Sequence, residues 1–164
     1  MPNLIQTTGA MLLAMACVGA CGSDDNKSID AAGGGTTYNV TLTKDQEVTA
    51  CAGAGANATG TAKVTVSSDN TTITVTDVTY SGLSGAATMA HIHANVMGMN
   101  GGVVLAFSTI TSPFSKTFTA TDYTAATGAP ATFADFVTSL KAGGAYINIH
   151  TTACMGGEIR GQIK

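Results

Sequence analysis

From Thr36 onward, apolar and polar positions alternate with a period of two in one short segment after another. TYNVTLT (37–43) predicts a first strand, and TAKVTVS (61–67) a second with Ala62, Val64 and Val66 on one face. TITVTDVTY (72–80) sets Ile73 and Val75 on one face and Thr72, Thr74 and Thr76 on the other. Asp69-Asn70 supplies the turn that makes these two a hairpin. The same reading predicts strands over 88–95, 102–108, 116–120, 146–151 and 158–164.

One segment breaks the period. In ATFADFVTSLKAGG, Phe133, Phe136, Val137 and Leu140 recur at helical spacing. Thr132 is placed to cap the N-terminus with Asp135 three residues on, and Gly143 to end the last turn. Many short strands, tight turns and one helix of about ten residues predict an all-β protein. The expected architecture is an antiparallel Greek-key sandwich or barrel of about eight strands.

The first twenty residues have a different character. GAMLLAMACVGA is an apolar run too short to span a bilayer, which takes roughly 20 residues. It ends in Val18-Gly19-Ala20-Cys21, which resembles a bacterial lipobox with Cys21 as the lipidated first residue of the mature protein. The stretch before the apolar run has no Lys or Arg, a departure from the usual export signal. Residues 1–20 thus read as a lipoprotein signal peptide and residues 21–35, polar and Gly-rich, as a flexible tether. Residues 36–164 form the folded domain. The expected location is the bacterial cell envelope, anchored through the N-terminal lipid, at the outer membrane if the cell has two membranes.

Composition supports an exported module and argues against one large class of partner. Seven Lys and Arg against ten Asp and Glu leave no basic footprint for nucleic acid. Of the four cysteines, Cys17 leaves with the leader and Cys21 takes the lipid. Cys51 and Cys154 remain, and in an oxidising compartment they are expected to pair.

Only three histidines exist, and they fall in two motifs: His91 and His93 in AHIHA, and His150 in YINIHTT. On a strand, positions i and i+2 share a face. Ala90, Ile92 and Ala94 would face the core, and His91 and His93, with Met89, would face solvent. Tyr146, Asn148 and His150 would likewise face outward from Ile147 and Ile149. If these strands are neighbours, three imidazoles meet, a donor set suited to copper, zinc, nickel or iron. Copper stands highest in the affinity order. Met97 and Met99 are candidate accessory thioether ligands, with Met89 and Met155 also near the histidines. With ordinary imidazole pKa values near 6.5, metal affinity would fall steeply from about pH 7 to 5. The competing expectation is a purely structural histidine network. Glu158 and Arg160 share a face of the last strand, with Arg160 expected either to pair with a carboxylate or to brace a loop near His150. No catalytic residues are predicted: there is no carboxylate pair, Ser-His-Asp spacing, phosphate loop or CxxC.

GLSGAATMAHIHANVMGMNGGVVLAF and GGAYINIHTTACMGGEIRGQIK together resemble the CHRD family, first defined in chordin and common in bacterial secreted proteins. LTKDQEVTACAGAGANATGTAKVTV matches its opening strands more loosely. The resemblance covers about Tyr38 to Lys164 and implies a β-sandwich domain. Two departures stand out. The family's EVPP is replaced by Glu47-Val48-Thr49-Ala50-Cys51, and Cys154 stands where the family has no cysteine. A fainter likeness links His91, His93 and His150 to three copper ligands of Cu/Zn superoxide dismutases, without a fourth histidine or a zinc loop. The expected function is an envelope-anchored, non-catalytic copper-binding module. The alternatives are a copper-only, dismutase-like redox enzyme and a metal-free structural or adhesive surface domain.

Overall fold

A computed structural model describes residues 27–29 and 34–164. The expected signal peptide and Cys21 lie outside the described residues. The elements are β1 (Lys27–Ile29), β2 (Thr36–Thr43), β3 (Thr59–Val66), β4 (Ile73–Ser81), β5 (Ala87–Ala94), β6 (Gly102–Ala106), β7 (Phe114–Phe118), α1 (Phe133–Lys141), β8 (Ala145–Thr151) and β9 (Ile159–Gln162). Within the span read as a tether, β1 pairs antiparallel with the first residues of β2.

The strands form one antiparallel sheet in the order β6-β5-β8-β9-β2-β3-β4-β7. The sheet curls into a nearly closed barrel. Its two edges approach each other: Lys116 Nζ on β7 donates to the Ala106 carbonyl of β6 at 3.0 Å. Beside that bond, the Phe107 ring packs edge-on against Phe114 and Phe118 at 5.2 and 5.1 Å between centroids. The alternation read from the sequence is the reason this face is apolar. Ala62, Val64, Val66, Ile73, Val75, Ala90, Ile92 and Ala94 are all buried in the common core. Burying each larger aliphatic side chain contributes about 1.5–3 kcal/mol.

The helix matches its sequence signals. Thr132 Oγ1 accepts from the Asp135 amide, and Gly143 ends the turn at φ +80°. Phe133, Phe136, Val137 and Leu140 are buried.

Two strand expectations change in detail. The strand read at 116–120 lies at Phe114–Phe118, which turns Phe114 and Phe118 inward. On β4 the period-two pattern breaks after Val75. Asp77 adopts φ +54°, the register slips between Val75 and Val78, and Val78 is buried in place of residue 77. One extra residue in a bulge returns an apolar side chain to the core.

The larger correction concerns the histidine face, expected to face solvent. Every residue of β8 is buried, on both faces. Tyr146, Asn148 and His150 point away from the barrel core yet are only 2%, 3% and 5% exposed. Three segments, 44–51, 95–101 and 152–157, fold over the outside of β5, β8 and β9. Polar bonds from the sheet hold them there. Arg160 donates to the Met99 and Val96 carbonyls at 3.0 and 3.2 Å, and Asn148 Nδ2 approaches Glu47 Oε2 at 3.4 Å. A disulfide between Cys51 and Cys154 joins two of the segments, as the cysteine count implied. Alternation tells which side of a sheet a residue takes; it does not tell what lies over that side.

Candidate metal centre

The register of β5 against β8 brings the two histidine motifs together. Met89 pairs with His150, His91 with Asn148 and His93 with Tyr146. On the other side of β8, Asn148 pairs with Arg160 and Tyr146 with Gln162. The covered face is therefore a lattice of polar and aromatic side chains, and the three imidazoles occupy one corner. One ring nitrogen from each of His91, His93 and His150 lies within 4.8 Å of the other two. His91 Nδ1 and His150 Nε2 are 3.2 Å apart. Two nitrogens bound to one tetrahedral ion at 2.0–2.1 Å stand about 3.3 Å apart, so this pair already has the separation of a shared metal.

Backbone carbonyls decide which nitrogens are free. His93 Nδ1 donates to the Gly101 carbonyl at 2.9 Å, and His150 Nδ1 to the Met155 carbonyl at 3.0 Å. Each bond leaves Nε2 as a lone pair. His93 Nε2 is buried with no protein partner. This is the arrangement by which ligating histidines are oriented from behind. Gly101 reaches its position because it has no side chain: a Cβ there would lie 2.1 Å from the Ala94 carbonyl oxygen.

His93 is held on its flat face as well. Its ring stacks on Tyr146, 4.8 Å between centroids and 6° between planes. The Arg160 guanidinium lies over Tyr146 at 3.4 Å from the ring centroid. The Tyr146 hydroxyl accepts from the Gly101 amide at 3.0 Å, fixing the loop that fixes His93. Arg160 thus braces the 96–99 loop, the second of the two roles expected of it.

Burial favours the neutral form of all three rings. Desolvation, reinforced by the neighbouring charges of His91, His150 and Arg160, lowers the His93 pKa to about 4 despite the Gly101 hydrogen bond. Burial lowers His91, helped by His150, and it lowers His150 against the opposing bond to Met155. The proton competition expected between pH 7 and 5 moves to more acid pH.

The two carboxylates of this end have distinct environments. Glu158 is wholly buried. It accepts from the Gly55 and Ser84 amides and the hydroxyls of Ser84 and Thr151. Burial pushes its pKa up, but these bonds outweigh it and hold the carboxyl below its usual range. Glu47 was not singled out in the sequence. Burial raises its pKa to about 7, against the opposing pull of Arg160 and Asn148. Its Oε1 is buried and unpartnered. Gly157, at φ +129°, makes room for it: a Cβ there would lie 2.6 Å from Glu47 Oε1 and 2.5 Å from Asn148 Oδ1. A lone glutamate in the stretch Glu47-Val48-Thr49-Ala50-Cys51 gave no pattern by which to find this group.

The methionine expectations divide. Met97 and Met99 are both 55% exposed. Met97 lines a cleft with Glu47, Arg160 and Gln162, on the β9 side of the covered face. Met89 shares the strand and the face of His91.

An antiparallel barrel with three converging imidazoles under a cap of loops defines the class: a small β-barrel domain with a candidate transition-metal centre. Residues 38–163 match the CHRD domain, and the chain belongs to that family. No curated protein and no solved structure matches it.

Proposed function

We propose that this CHRD domain is a non-catalytic transition-metal-binding module, with copper as its metal. The ligands are His91 Nδ1, His93 Nε2 and His150 Nε2. The observation that carries the reading is the buried, unpartnered Nε2 of His93, in a ring whose other nitrogen is committed to a carbonyl. A buried lone pair without a partner is costly, and a metal ion supplies the partner. Three neutral imidazoles suit Cu(II) best among the common divalent ions. The chain would be carried on the bacterial envelope by a lipid at Cys21, a reading that rests on the Val18-Gly19-Ala20-Cys21 sequence.

The second reading is a metal-free network that holds the cap on the barrel. The 3.2 Å between His91 Nδ1 and His150 Nε2 favours it, since one N–H donating to one lone pair has the same distance. Thermal melts of the wild type and His150→Ala, each with and without one equivalent of copper, separate the two. The metal reading expects a copper-dependent rise in Tm in the wild type that is lost in His150→Ala. Equal shifts in both proteins exclude the three-histidine site. No shift in either, with His150→Ala less stable throughout, supports the network. Anchoring is tested apart from this: Cys21→Ala should release the domain from membranes.

A further inference from the structure

Three imidazoles leave one corner of a tetrahedral ion open, and the register identifies a neighbour for it. Met89 lies two residues before His91 on β5, with buried Ala90 between them, so Met89 and His91 share the covered face. Across the ladder, Met89 pairs with His150, just inside the point where the register slips between Ala87 and Met89. Directly opposed side chains in an antiparallel pair stand about 5 Å apart at Cβ. Met89 therefore adjoins both members of the pair whose nitrogens are 3.2 Å apart.

Exposure changes in the same direction. His93 and His150 are 8% and 5% exposed, His91 is half-buried, and Met89 is 43% exposed. The centre is closed behind His93 by Tyr146 and opens towards Met89.

Other candidates for the fourth corner are engaged or displaced. Both oxygens of Glu158 accept hydrogen bonds from Gly55, Ser84 and Thr151. Among the described residues, neither Glu47 nor any other carboxylate belongs to the group of donors that closes around the three histidines. The Met155 carbonyl is bonded to His150 Nδ1, and its side chain is 76% exposed. The Met99 carbonyl is bonded by Arg160, and Met97 lines the cleft on the β9 side.

We propose that the Met89 thioether is the fourth ligand of this centre, and that it makes the site selective for a soft monovalent ion, Cu(I). The inference rests on the three-histidine reading. A thioether is a soft donor that favours Cu(I), whereas imidazoles alone serve Cu(II) and Zn(II) as well. Met89 then sets which oxidation state the site retains, and the histidines provide most of the affinity.

The test uses the folded domain and two probes, Cu(I) held by a competing chelator and Ag(I) as its redox-inert substitute. Variants are Met89→Leu, Met97→Leu/Met99→Leu and His150→Ala. The expected result is a sulfur neighbour in the copper X-ray absorption spectrum of the Cu(I) wild type that disappears in Met89→Leu. Cu(I) and Ag(I) affinity should fall at least tenfold in Met89→Leu, with Cu(II) and Zn(II) affinity within twofold of wild type. Met89 is exposed, so the Leu variant keeps the fold, and unchanged Zn(II) binding verifies this. A sulfur neighbour lost only in Met97→Leu/Met99→Leu overturns the assignment. So does wild-type Cu(I) affinity in Met89→Leu. If Cu(II), Zn(II) and Cu(I) all bind without regard to His150→Ala, the three-histidine centre fails and this inference falls with it. Binding that needs His150 but not Met89 removes the inference alone.

Discussion

The Arg160 guanidinium lies over the Tyr146 ring, 3.4 Å from its centroid, and Tyr146 in turn lies flat against His93. The same guanidinium holds the Val96 and Met99 carbonyls. One buried cation thus positions His93 twice, through the stack and through the loop whose Gly101 carbonyl orients the ring. Lysine keeps the charge but cannot stack as a plane and fork to two carbonyls. Arg160→Lys should lower stability by about 2 kcal/mol, the scale of a lost charged hydrogen bond. It should also weaken metal binding by loosening His93. Denaturant melts and a binding titration of the variant check both effects.

The histidines predict an acid limb of stability. Their folded pKa values are depressed, so an unfolded chain binds more protons as pH falls below about 6.5. The stability they contribute is fully present above that pH and is lost as pH falls towards about 4, the value for His93. Metal affinity should fall at a more acid pH than rings with the ordinary value near 6.5 would give. A binding titration whose midpoint matches free imidazole would show ordinary rings in place of buried ones.

Glu47 predicts a limb of opposite sign. Its folded pKa is raised to about 7, so its contribution is present below its unfolded value of 4.5 and is lost as pH rises through 7. Glu47→Gln removes a charge that burial disfavours. The variant should gain stability relative to wild type as pH rises from 5 to 8, and show little difference at pH 5. Urea melts at the two pH values read the difference directly; a constant gap would mean that Glu47 does not titrate in this range.

The Cys51–Cys154 disulfide spans 103 positions in the sequence. Closing a loop of that length is worth about 4–5 kcal/mol by chain entropy. Reduction should lower Tm. It should also weaken metal binding, because Cys154 lies one residue before Met155, whose carbonyl orients His150. A Cys51→Ser/Cys154→Ser variant with wild-type Tm would remove the stabilising role.

Much of this molecule was legible before its structure. The β3–β4 hairpin followed from alternation and a turn pair. The helix followed from Thr132, its apolar spacing and Gly143. The meeting of His91, His93 and His150 followed from strand periodicity and the scarcity of histidine. What was hidden depends on contacts distant in sequence. The bulge at Asp77 is set by what Val78 must bury, not by local residue preference. The covered face arises because Arg160, Tyr146, Asn148 and His150 bind loops from three other parts of the chain. Glu47 acquires its raised pKa only when those loops close. That Met89 lies opposite His150 depends on a ladder register that residue spacing alone does not give.

Residues 51 to 154, joined by their disulfide, form a covalent ring, and the ring contains His91, His93, His150 and Met89. A single proteolytic cut anywhere inside it opens the ring without releasing a fragment. Strands on both sides of the cut stay within reach of their partners in the sheet. A nicked domain would run as one species until reduced and then separate into two. Damage to an exposed turn would therefore leave the three histidines and Met89 attached to one another, and their cluster could outlast the continuity of the chain that built it.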